Sequence, residues 1–235
     1  GNDGWYVQRA PAPLTIDGYG DDWAPLTPWA QPLGTHARVL LAADDVGPCL
    51  YVQVRATRRV RADAGDAGAL RADRLILELG RAGQHRRYLL ASGAPGAFVA
   101  RVIDPPAADL PDTLDGQWQE DGSGWRVELR LPDAPALDRL GVAVHDGGIA
   151  EADPLAVESR PLWRYSSALA QELALLAPED VRVRLLAPSG WLLAQGGHSS
   201  VSRMEPAQPG WFAALVYRAL LAAPLADAQR WTDDA

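Results

Sequence analysis

The chain has 235 residues, 48% of them hydrophobic, and a formal net charge of −8, enough for one large domain or a medium domain with a small companion. The acidic balance excludes nucleic acid as the main partner, because phosphate binding needs a basic face. A single cysteine excludes an internal disulfide, and no apolar run approaches the roughly 18 residues of a membrane-spanning helix.

The chain begins at Gly1 without methionine, and we expect a soluble segment of a longer protein. The stretch "IDGYGDDWAPL", Ile16 to Leu26, gathers three aspartates, two glycines, a tyrosine and a tryptophan. Asp17, Asp21 and Asp22 are the residues a calcium site would use. The reading preferred is a turn whose carboxylates accept backbone N–H groups, with Ile16 and Trp23 pinning the chain to a core. No metal and no cofactor is expected. From 36 to 146 the pattern is alternation between Gly, Pro and Asp clusters, as in "ARVLLAADD", "CLYVQVRATRRV", "DRLILELG", "RRYLLAS", "AFVARVID", "WRVELRLP" and "LGVAVHD". In the second run Tyr51 and Gln53 share one face, Val52 and Val54 the other. In the sixth, Trp125, Val127, Leu129 and Leu131 oppose Arg126, Glu128 and Arg130. Cys49 reads as a small core residue. Asp121 to Trp125, "DGSGW", reads as a hairpin. The loop Asp63 to Asp73 lacks the order and the terminal glutamate of an EF-hand.

Past about 150 the period changes. Apolar residues at 162, 165, 169, 173 and 176 predict a helix over 164–177, capped by Ser166 or Ser167 and closed by Pro178. Two short strands around Pro188-Ser189-Gly190 follow, then an amphipathic helix over 210–222. The expected fold is mainly β: an antiparallel, jelly-roll-like β-sandwich over 1–155, then a small α+β helix–hairpin–helix module over 156–235.

No two of His36, His85, His145 and His198 have metal-ligand spacing, and no nucleophile elbow, phosphate loop or dinucleotide fingerprint occurs. A hydrolytic site would need His145 or His198 to meet a carboxylate or hydroxyl; catalysis is not expected of this segment. Nine tryptophans against two phenylalanines direct attention to stacking. Trp23, Trp125 and Trp191 read as core anchors beside turns. Trp5, Trp29 and Trp118 sit in polar or proline-rich surroundings and are the candidate ligand platform.

The block from "PLTIDGYGDDWAPL" to "LGVAVHD" resembles the carbohydrate-binding family 9 and DOMON-like sandwiches, through Ile16, Asp17, Gly18, Asp21 or Asp22, and Trp23, and through Gly124, Trp125, Glu128, Leu131 and Pro132. That resemblance implies a sandwich whose relatives bind sugars, haem or nothing known. "NDGWYVQ", "IDGYGDDW" and "VRVRLLAPSGWLLAQGG" with its flanks resemble the extracytoplasmic sensing region of the dedicated sortase-system histidine kinase of proteobacteria, with a PAS- or Cache-like hairpin. This implies a periplasmic input module of a membrane-bound two-component kinase. Its signal would be a small molecule, a glycan or a protein, and its membrane segments and kinase core would lie outside these residues. Homodimerisation would then belong to the full-length protein. The rival expectation is a carbohydrate-binding module of a secreted or surface protein.

Overall fold

The computed structural model describes residues 4–105, 110–132, 137–149, 152–188 and 190–197. Twelve strands join into one hydrogen-bonded sheet that folds on itself as a sandwich, and two more form a separate hairpin. The first layer runs β7 (Gly96–Val99), β9 (Asp115–Glu120), β10 (Gly124–Arg130), β4 (Pro48–Arg55) and β3 (Ala37–Ala43), with β2 (Gln31–Leu33) beside β3. The second runs β12 (Ser159–Arg164), β11 (Leu137–His145), β5 (Arg74–Arg81), β6 (Gln84–Leu90) and β8 (Arg101–Val102). The mainly β sandwich with a small α+β part is thus the observed architecture.

Strand β1 (Trp5–Arg9) is the seam. Trp5, Tyr6 and Val7 pair in parallel with Leu162, Trp163 and Arg164, while Gln8 and Arg9 pair in parallel with Ala42 and Ala43. Serving both layers, β1 is buried along nearly its whole length. Strand β12 carries the pairing beyond residue 155, where the sandwich was expected to end. The run "AFVARVID" also divides, into β7 and β8.

Period-2 alternation decides what each layer buries. Leu50, Val52 and Val54 of β4 and Trp125, Val127 and Leu129 of β10 meet Leu75, Leu77 and Leu79 of β5 and Leu140 and Val142 of β11 in the main core. The alternate residues of the first layer, Leu40, Ala42, Cys49 and Tyr51, form a second cluster on its outer face with Leu14, Trp23 and Leu26. Residues 10–30 therefore lie across that face as a cover. Cys49 is wholly buried there, and burial pushes its thiol up to about 11, in keeping with a packing role.

Helix α1 (Ser167–Leu176) begins where the Ser166 hydroxyl accepts the Leu169 N–H, and Pro178 follows its end. It packs on β14 (Leu192–Gly196), which pairs with β13 (Val183–Leu186). The hairpin meets the sandwich through Tyr6, whose ring stacks on Trp191 at 4.6 Å and whose hydroxyl donates to the Leu192 carbonyl. The helix expected over 210–222 lies outside the described residues.

Candidate functional site

The turn at "IDGYGDDW" is built from its own polar groups. Gly18 and Gly20 hold φ of +88° and +75°, a region open to glycine at little cost. The backbone N–H groups of Asp17 and Gly18 donate to Glu128 Oε2, at 3.2 and 2.9 Å. Asp17 accepts the Tyr19 N–H, and Asp22 accepts that of Thr15. Two of the three aspartates thus cap backbone amides, as the turn reading requires. Among the described residues no group of three or more His, Cys, Asp or Glu side chains converges as a metal site. Asp63, Asp66 and Asp73 likewise accept backbone N–H groups.

The turn sits on the outer face of the first layer. A Cβ on Gly18 would press on the Gln119 side chain, and one on Gly20 would press on the Tyr51 ring. Arg126 Nε donates to the Gly18 carbonyl at 2.8 Å. Between the two glycines stands Tyr19, 63% exposed, with its backbone anchored at both sides.

The turn packs on one end of a polar row that crosses the sheet. Register aligns Gln119 with Arg126, Arg126 with Gln53, and Gln53 with Arg38. Four half-buried planar side chains from β9, β10, β4 and β3 therefore form one cross-strand row. Arg38 Nε donates to Gln53 Oε1 at 2.7 Å, and Arg126 also reaches Asp121 at 3.2 Å. These bonds orient the planar groups, and Arg126 also hydrogen-bonds the Tyr51 side chain.

The tryptophan platform expected from the sequence divides. Trp5 and Trp118 are buried and present no face to a ligand. Trp5 donates its indole N–H to the Leu140 carbonyl at 2.9 Å inside the seam. Trp118 points inward with the alternation of β9 and stacks on Trp125 at 4.3 Å. Trp29 is half-buried against the outer cluster that contains Leu40. Trp23 and Trp125 are buried as expected, and Trp191 is half-buried on Tyr6. The exposed aromatic of this face is Tyr19, which the sequence analysis did not select.

A cleft of about 460 Å³ is lined by Leu33, Gly34 and His36, by Val142 to Val144 of β11, by Ala156 to Glu158 and by Arg160 of β12. Its floor includes Val142 and Val157, and its rim Glu158 and Arg160. Arg160 is paired with Glu158 at 2.8 Å and lies over the Trp5 ring. His36 Nε2 lies 3.3 Å from Asp146 Oδ1. His36 thus meets a carboxylate. His145 contacts the Ala156 carbonyl, and His198 lies outside the described residues.

No family model matches the sequence, and no curated protein matches it. Among solved structures the chain is similar to a carbohydrate binding module family 9 from Caldicellulosiruptor kristjanssonii, determined in complex with glucose. The identity is 15%, the match covers 69% of this chain and 96% of that one, and the TM-score is 0.40.

Proposed function

We propose that this chain is a non-catalytic, extracytoplasmic glycan-binding module. The observation that carries the reading is the row Gln119–Arg126–Gln53–Arg38 beside the anchored ring of Tyr19. Sugars offer hydroxyls that both donate and accept, and C–H faces that stack on aromatic rings. Amide and guanidinium planes answer the first, and an exposed tyrosine the second. The test is a glycan array and affinity electrophoresis in soluble polysaccharides. Binding that is lost in Tyr19→Ala at unchanged melting temperature supports the proposal. An array without hits overturns it.

A specific observation favours a second reading, in which the module is the input region of a membrane-bound histidine kinase. Seven of the twelve exposed large apolar side chains among the described residues, Tyr165, Leu169, Leu175, Leu176, Val181, Leu185 and Leu186, lie between 165 and 186. A surface of that kind marks a contact with something else. A ligand drives such a sensor only by binding two arrangements with different affinity. Solution scattering and oligomeric state that stay identical with and without a bound activating ligand would sink this reading.

A further inference from the structure

The geometry points to an anionic glycan as the ligand of the outer face, its acidic group held by Arg38 and Arg55 around Gln53; this rests on the glycan reading of that face. Alternation puts Gln53 and Arg55 of β4 on the same face, two positions and about 7 Å apart. Register sets Arg38 of β3 beside Gln53 on one side and Arg126 of β10 on the other. Three guanidiniums thus surround one amide.

They are not equally occupied. Arg126 bonds the Gly18 carbonyl, the Tyr51 side chain and Asp121. Arg130, further along β10, is taken by Asp44. Arg38 bonds Gln53 through Nε, and Arg55 bonds the Thr35 carbonyl. Among the described residues neither Arg38 nor Arg55 pairs with a carboxylate. In a chain with 30 acidic residues against 22 basic ones, two diagonal guanidiniums without an acid are a charge the fold leaves unbalanced. Like charges so placed repel, and an anion between them removes the repulsion.

The hydrogen-bonding character agrees. Gln53 gives its oxygen to Arg38, so its amide nitrogen remains as a donor, beside the Nη groups of Arg38. Donors alone match a group that only accepts, a carboxylate or a sulfate ester, and guanidinium meets either with two parallel bonds. The hydroxyl of a neutral sugar needs acceptors as well. The acids of this face stand elsewhere. Asp17, Asp21 and Asp22 belong to the turn, which packs on Gln119 and bonds Arg126. Arg38 lies two strands from Arg126, about 10 Å. The Tyr51 hydroxyl feels the same field: burial raises it, and Arg126 and Arg38 pull it down.

The experiment is an array of neutral, uronate-containing and sulfated polysaccharides, followed by titration calorimetry of the tightest binder at two salt concentrations. The hits should carry uronate or sulfate, and which of the two identifies the acidic group. Methyl esterification of a uronate hit, or desulfation of a sulfated one, should weaken binding by about tenfold or more, and added salt should weaken it too. Arg38→Gln and Arg55→Gln should each do the same at unchanged melting temperature, while Arg101→Gln on the second layer changes nothing. Arg55 is exposed, so its variant reads binding even where Arg38→Gln disturbs the sheet. Hits confined to neutral glycans, or a charged hit that binds as well after its charge is removed or in Arg55→Gln, overturn the anionic ligand and leave the glycan reading standing. An array without hits of any kind overturns both.

Discussion

Glu128, wholly buried on β10, accepts the Gly18 N–H at 2.9 Å across 110 positions of sequence. One side chain of the sheet thereby fixes the turn that presents Tyr19. Its second oxygen, Oε1, is buried without a hydrogen-bond partner. Burial raises the Glu128 carboxyl above the usual range. The Gly18 and Asp17 N–H groups oppose that shift, and the Asp17 and Asp22 charges add to it. A carboxyl raised in the fold contributes most when protonated. That contribution is complete below the unfolded value of about 4.3 and is lost as pH rises through the folded one. Glu128→Gln keeps an oxygen for both amides and has no charge to desolvate. It should match the wild type near pH 4 and be the more stable protein at pH 7, measured by urea unfolding at both. Glu128→Ala strands the two amides and should cost about 2–4 kcal/mol near pH 4 and less at pH 7, where the wild type has lost the protonated carboxyl's contribution. A glutamine variant less stable than wild type at pH 7 would refute the assignment.

Asp44 has the opposite sign. Its carboxylate takes a two-pronged hydrogen bond from Arg130 and the N–H groups of Leu14, Val46 and Gly47. The Arg130 contact foremost, then those amides, hold it well below the usual carboxylate range. A depressed carboxyl stabilises the fold above its unfolded value of about 3.9 and loses that contribution as pH falls. Asp44→Ala should cost about 2–4 kcal/mol at pH 7, and the difference from wild type should shrink below pH 4. Because the pair ties Leu14 to the sheet, hydrogen exchange should quicken first in residues 10–30. Uniform exchange throughout the sandwich would show that the cover does not depend on this pair.

The faces of β4 and β10 were legible because alternation is local. Val52 and Val54 face inward, and Arg126, Glu128 and Arg130 face outward, as their positions require. The Ser166 cap was legible for the same reason. Strands β1 and β12 were not, since each finds its register in a partner far along the chain, and "SRPLWR" supplies one buried residue, Leu162. Trp118 carried a usable signal in its alternation with Gln117 and Gln119, which sends the ring inward. The polar row was legible only in pieces, because Arg38 and Gln119 become the two ends of one row through three strand pairings.

The burial of these rings separates stability from binding. Trp118→Ala removes a ring stacked on Trp125 in the main core and should cost about 3–5 kcal/mol. Trp29→Ala removes a half-buried ring at the margin of the outer cluster and should cost about 1–2 kcal/mol, since only part of that surface is withdrawn from water. Melting curves of the two variants check the order. A larger loss in Trp29→Ala would place that ring in the core.

Helix α1 has no fully buried residue, and Leu175 and Leu176 are 87% and 80% exposed. Its sequence, "SALAQELALL", is apolar on more sides than β14 can cover, and a helix of that kind is ordinarily buried. If nothing covers these two leucines, changing them to glutamine alters stability by less than about 0.5 kcal/mol, as at an ordinary surface position. If they form an association surface, Leu175→Gln with Leu176→Gln leaves the melting temperature of the monomer in place and abolishes concentration-dependent association. Sedimentation velocity over a hundredfold range of concentration, for this chain and the double variant, separates the two. Association that survives the substitutions would place the contact elsewhere and remove the observation on which the sensor reading rests.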